Sequence, residues 1–293
     1  MAYRIVQPGR AALRALLVVL VAGALGGCGA IVARASAGLA DNLSAAILNQ
    51  QDPELVAEAL PAYLLLIDSL IAGDPDNAAT LAAGAQLYAA YGAGLISDSE
   101  RARTLTAQAR DYGRQALCAV EAQACALQQL DYADYEAAIR SIDPASVEEL
   151  YAYSLSSLAY IRTHADDFGA LAQLPKVEMA LGQVMQLEPG ELAASTSMYL
   201  GILNTLRPAA LGGKPEVGRE WFERGIELSD GKDLSLKVEY ARGYARLVYD
   251  RELHDRLLNE VLAAEVEQTD LTLFNTLAQA EAAKLLSSAD DYF

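Results

Sequence analysis

MYLGILNTLRPAALGGKPEVGREWFERGIELSDG, residues 198–231, reads as a complete helix, loop, helix unit with its boundaries written in. The first helix carries Tyr199, Leu200, Leu203 and Leu206 on one face, and the Pro208–Lys214 loop stops it. Pro215 stands at a first helical position, where its missing N–H costs nothing, and Glu216 follows near the positive end of the dipole. Gly231 is expected to close the second helix. Inside that helix Gly218, Phe222, Gly225 and Asp230 repeat a small-x3-aromatic-x2-small-x4 spacing.

That spacing resembles the second helix of a tetratricopeptide repeat, and Leu200-Gly201 supplies the Leu-Gly pair of the first helix. Gly and Asp replace the usual Ala and Pro. An earlier copy runs through Val177, Leu181, Val184 and Pro189, and the 41-residue offset from Pro189 to Asp230 exceeds the usual ~34. Alanine and leucine dominate, β-branched runs are absent, and no period-2 strand stands out. The expected fold is all-α: tetratricopeptide-like helical hairpins stacked into an irregular α-solenoid.

Residues 1–27 are read as an export signal. Arg4, Arg10 and Arg14 make a basic start without acids, and Ala15–Ala24 is an apolar stretch too short to span a bilayer comfortably. Leu25-Gly26-Gly27-Cys28 resembles a bacterial lipobox, which makes Cys28 the expected lipid attachment site; the alternative is an ordinary cleavage site beside a chance cysteine. Gly29 after Cys28, in place of an Asp retention signal, favours the outer membrane. Residues 28–38 then form a short tether and 39–293 a single helical domain. Loss of residues 1–27 deepens the net charge from −17 to −20, which argues against nucleic acid and against anionic lipid headgroups as partners. Acyl chains must therefore hold the protein to the membrane, and more than one, because a single chain anchors only marginally at ~0.8 kcal/mol per buried CH2.

Along the chain, a helix from Leu39 to Gln50 precedes Asp52-Pro53-Glu54, which opens a helix to Ala72 that Pro61 should kink. Asp74-Pro75-Asp76 restarts the chain into a helix with Leu81, Ala85, Tyr88 and Gly92 on one stripe. Ser97 and Glu100 have capping-box spacing, and Ala102, Leu105, Ala109, Tyr112 and Ala116 recur behind them at helical intervals. Ser146 and Glu149 form a second such box, opening a helix to His164. The last helices are expected over Leu234–Asp250, Glu252–Ala263 and Thr272–Ala289. Cys118 and Cys125 are candidates for a disulfide. On one continuous helix their spacing is ~10.5 Å of rise, too far to bridge, so pairing needs a turn at Glu121–Gln123. Two buried free thiols are the alternative.

Catalytic and metal signatures do not emerge. His164 and His254 are the only histidines, without HExxH or Cys/His ligand spacing. Gly212-Gly213-Lys214 lacks the upstream glycine of a phosphate loop, and Pro215 stands where Ser or Thr would hold magnesium. Ser229-Asp230-Gly231-Lys232 matches S-x-x-K at the end of a helix instead of its start. The chain is read as a non-enzyme needing no cofactor and no metal. Two features exceed this background. One is 15 tyrosines against four Phe and one Trp, rigid amphipathic rings suited to binding or to wedging between Ala-rich helices. The other is the charge run Arg251–Arg256. Tyr88, Tyr91, Tyr199, Asn204 and Arg251 are the candidate binding-surface residues.

The chain resembles the T-component family of tripartite ATP-independent periplasmic (TRAP) transporters. The likeness rests on the order of Asp52-Pro53-Glu54-Leu55 with Ala59-Leu60-Pro61-Ala62-Tyr63, Leu87-Tyr88-Ala89-Ala90-Tyr91, Gly212-Gly213-Lys214-Pro215-Glu216 with Phe222-Glu223-Arg224, Asp250-Arg251-Glu252-Leu253, and Leu277-Ala278-Gln279 with Ala289-Asp290-Asp291-Tyr292-Phe293. The resemblance implies a lipid-anchored, periplasm-facing protein that associates with the transporter's solute-binding protein, and a homo-oligomer, a trimer around a central pore. The leading expectation is an accessory component that docks that receptor and passes a small organic ligand. The alternative is a structural scaffold of the envelope with no ligand of its own.

Overall fold

The computed structural model describes residues 45–293. The expected signal, Cys28, its tether and the start of the Leu39–Gln50 helix lie outside the described residues. Among the described residues the chain is all-α, with no strand. The longer helices are α1 (Pro53–Gly73), α2 (Ala78–Ala90), α3 (Ser99–Val120), α4 (Tyr132–Arg140), α5 (Val147–Thr163), α6 (Leu174–Leu187), α7 (Ala193–Thr205), α8 (Pro215–Leu228), α9 (Leu234–Glu239), α10 (Arg251–Ala263) and α11 (Thr272–Ser287).

Several ends follow from local chemistry. Asp52 accepts from the N–H groups of Glu54 and Leu55 at 3.0 and 3.1 Å, with Pro53 behind it in the first turn. Pro215 begins α8, and Gly231, at φ +69°, donates back to the Ile226 carbonyl at 2.8 Å. Other expected starts are displaced. Asn77, one residue past Asp74-Pro75-Asp76, caps α2 by accepting from Thr80 N–H at 3.0 Å. Asp98 caps α3 in place of Ser97, because a carboxylate one residue closer reaches the Arg101 N–H at 3.0 Å. Ser146 caps nothing. Its hydroxyl donates across the fold to Glu121 Oε1 at 3.0 Å, while Asp143 caps the short turn before it by accepting from Ala145 at 2.8 Å. The helix expected over Leu234–Asp250 changes character: α9 passes into a π-helical segment, Tyr240–Ala245, and Asp250 N–H bonds the carbonyl five residues back, Ala245, at 2.9 Å. A matching π segment, Tyr91–Leu95, follows α2.

Helix α3 packs between α2 and α5, which also touch each other. Its innermost stripe is Ala102, Thr106, Ala109, Gly113 and Ala116, all buried. Leu105 and Tyr112, on the expected stripe, sit half-buried at its flank, because two helices can close on α3 only where its side chains are small. A Cβ on Gly113 would collide with the Ser156 hydroxyl and meet the Ala152 carbonyl oxygen at 3.1 Å, so the α5 backbone and one small hydroxyl close directly on the α3 backbone here.

The α7–α8 hairpin is built the same way. Phe222 is fully buried, and Gly201 lies so close that a Cβ there would meet the Phe222 ring at 2.6 Å. Gly218 leaves equivalent room for Thr205 and the Gly201 carbonyl. This explains the small-aromatic-small spacing physically: Gly218 and Gly225 bring the α8 backbone against α7, and Phe222 between them fills the space over Gly201. Hairpins contact their neighbours in chain order, with one addition. The start of α11 returns to α1, where Leu273 joins Val56 and Leu60 in one buried cluster, and Asn49 and Asp270 exchange hydrogen bonds at 2.8 and 3.0 Å. A strictly linear repeat array has no such contact between its ends.

Candidate functional site

The five candidate surface residues are scattered. Tyr88 and Tyr91 are buried in the cluster formed with α1 and α3. The Tyr88 and Tyr112 hydroxyls both donate to Asp68, one to each carboxylate oxygen, at 2.7 Å. Burial, and then the hydrogen bond to this carboxylate, pushes Tyr112 up to about 12 and raises Tyr88 as well. Tyr91 lies under the Arg101 guanidinium, 5.7 Å from the ring centroid. Tyr199 is half-buried where three core clusters meet, 6.3 Å from the Tyr151 ring, and burial raises its hydroxyl strongly. Arg251 is exposed and pairs with Asp290 and, at 3.4 Å, with Asp255. Asn204 lines the cavity under the α7–α8 loop.

Two concavities stand out among the described residues. The first, about 190 Å3, lies beneath the α7–α8 loop, between Tyr132, Leu174, Pro175, Leu203, Arg207 and Lys214. The loop is pinned by its own backbone. Lys214 N–H donates to the Asn204 carbonyl at 2.9 Å, and Gly213 is held so tightly that a Cβ would collide with the Arg207 carbonyl. Lys214 Nζ bonds both carboxylate oxygens of Glu178, on α6, at 2.9 and 3.0 Å. The second, about 360 Å3, is a polar cleft between α8, the π segment and α10. There Tyr240 and Tyr244, four residues apart and so on one face, donate to Glu223 and Glu216 of α8 at 2.9 and 2.8 Å. Burial, then these bonds, raise both tyrosines. Arg219 and Arg256 supply the positive charge of that cleft.

Cys118 and Cys125 form a disulfide, with Cα atoms 4.5 Å apart. The geometry exists because α3 ends at Val120 and the chain turns at Glu121 into a 3-10 segment, Ala122–Gln129. His254 is fully buried, with Nδ1 2.8 Å from Asp255 Oδ1 and its ring meeting Phe293 edge-on at 5.1 Å. His164 stacks on Tyr160 at 3.8 Å, and Arg110 covers that tyrosine at 3.6 Å. Among the described residues no group of three His, Cys, Asp or Glu side chains has metal-holding geometry.

Three features escaped sequence reasoning. Asp68 is the lone acid in the apolar run of α1, and that isolation was the available signal. Tyr240 and Tyr244 showed only an i, i+4 spacing. Arg207 sits one residue before a proline and close to two glycines, a position that marks a loop and says nothing of what the guanidinium faces.

A family model described as TRAP transporter T-component matches residues 49–293, nearly the whole described chain. No curated protein matches the chain.

Proposed function

The chain belongs to the TRAP transporter T-component family, and on that premise we propose that it is the lipid-anchored accessory protein that docks the solute-binding protein of its transporter and passes a small organic ligand. The match over residues 49–293 carries this reading, because it spans the hairpins, both concavities and the C-terminal segment together. In this reading residues 1–27 are removed, Cys28 is acylated on the periplasmic side of the outer membrane, and 39–293 act as one helical domain. Replacing Cys28 with Ala should abolish fatty-acid labelling, and unchanged labelling would refute the anchor. A homo-oligomer, a trimer with a central pore, belongs to the same proposal. The exposed Leu55, Leu65, Leu66 and Leu70 on α1 are the apolar surface such an assembly would cover.

Tagged protein purified from native membranes should bring down an extracytoplasmic solute receptor. Repeated purifications that recover none would sink the docking proposal. The same leucine face also suits a scaffold that holds envelope proteins without a ligand. Native mass spectrometry separates the two, since a scaffold retains no small molecule under conditions that preserve the oligomer.

A further inference from the structure

This acid-rich chain leaves few of its cations alone. Among the described residues, almost every Arg and Lys lies within 4 Å of a carboxylate or over an aromatic ring; Arg162, Arg207 and Arg256 do neither. Of these three, only Arg207 has its Nε–H closed to solvent and without a hydrogen-bond partner. A guanidinium N–H shut away from water and left unbonded is unfavourable unless an acceptor from elsewhere meets it. Arg207 lines the 190 Å3 cavity under the α7–α8 loop.

The rest of the cavity defines that acceptor. Lys214 adds a second cation, an ammonium, but Glu178 holds it through both carboxylate oxygens. The three charges sum to one positive, which suits one negative charge better than a phosphate dianion. Leu174, Pro175 and Leu203 form an apolar wall, and Tyr132 stands at the rim. We propose that this cavity binds a small organic monocarboxylate, its carboxylate forked onto Arg207 and its hydrocarbon body against Leu203 and Pro175. A planar fork matched to two oxygens is the recognition for which arginine is suited and lysine is not. The site deepens the ligand-passing reading and rests on it only for where the ligand goes.

The test is calorimetric titration of the full mature chain, without receptor, using pentanoate, its uncharged amide pentanamide, and inorganic phosphate. Pentanoate should bind about tenfold or more tightly than pentanamide, whose single neutral carbonyl oxygen cannot match a charged two-oxygen fork, and more tightly than phosphate, which has no hydrocarbon body for the apolar wall. Arg207→Gln should weaken pentanoate by about tenfold or more at unchanged circular dichroism. Glu178→Gln should tighten it by roughly threefold or more, because it frees Lys214 to act on the ligand. If Arg207→Gln does not fold, Glu178→Gln decides alone. Pentanoate bound no better than pentanamide or phosphate, unchanged affinity in folded Arg207→Gln, or no gain from Glu178→Gln would each overturn the site. A failed receptor purification leaves these titrations untouched and overturns only the docking.

Discussion

Helix α1 is the more apolar and α5 the more polar of two long helices, yet the fold buries them in the opposite order. The 18-residue apolar window of α1 has a mean hydropathy of 1.8, enough by length and composition to cross a membrane, but only 22% of it is buried. Leu65 is 72% exposed. In α5, by contrast, Ser154, Ser156 and Ser157 are buried beside Leu158 and Ile161, with Ser154 donating to the Leu150 carbonyl at 2.7 Å and Ser156 to the Tyr153 carbonyl at 3.2 Å. Hydropathy therefore does not rank these helices by burial. Position in the stack does: α5 packs along α2, α3 and α6, whereas α1 packs along α2 alone, with lesser contacts to the π segment Tyr91–Leu95, to Tyr112 of α3 and to the start of α11. Ser154 and Ser156 are tolerated in α5 because both return their hydrogen bonds to their own helix, and their size lets α3 approach.

That contrast can be broken or sharpened by four measurements. Leu158→Ala, inside α5, should destabilise by about 2–5 kcal/mol in urea unfolding, as deletion of buried methyl groups leaves a cavity. A value near zero would mean that α5 is not the packed centre. Next in size, replacing both Cys118 and Cys125 with Ser should cost roughly 2–2.5 kcal/mol, the entropy of a short closed loop at the end of α3, the neighbour of α5. Equal stability of oxidised and reduced protein would count against that bridge.

The third measurement concerns the polar anchor of α1, Asp68. Tyr112 is raised in the folded state to about 12 against an ordinary value of 10.0, by burial and then by its bond to Asp68. The folded protein thus keeps a proton that the unfolded chain releases. The contribution is complete below pH 10 and is lost as pH rises toward about 12, so stability should fall across that window. Absorbance titration near the tyrosinate band should show two late-ionising tyrosines, Tyr88 and Tyr112, moving down in Asp68→Asn. An unchanged titration would remove Asp68 as α1's attachment. The smallest effect is expected from Leu65→Gln, within about 0.5 kcal/mol for the isolated chain, since an exposed side chain loses little. A fall in oligomer mass at unchanged monomer stability would assign the leucine face to the assembly contact. A large loss of stability would show that this face is covered within the chain itself.

The same division runs through what could be read in advance. Proline at the starts of α1 and α8 and Gly231 after α8 were legible, because the chemistry that fixes them lies within a few residues. The spacing of Gly218, Phe222 and Gly225 marked the hairpin, because a helix that lies close on its neighbour needs small residues, with the buried ring between them, at helical intervals. The two capping boxes were misread for the complementary reason. Asp98 competed from the adjacent position, and Ser146 was claimed by Glu121, 25 residues away. Tyr88 and Tyr91 looked like contact surface, but their surroundings come from α1 and α3, which no local window displays.

The sequence by itself determined the all-α class, most helix boundaries and the likeness to the TRAP T-component family, since periodicity, turn residues and motif order are properties of short stretches. Only the tertiary structure decided which apolar helix is buried, that α11 returns to α1, that Asp68 receives two tyrosines, and that Arg207 and Lys214 face one cavity. Those outcomes depend on distances between residues tens of positions apart, and such distances are set when helices pack, with the small side chains of α3, α7 and α8 fixing how closely they meet.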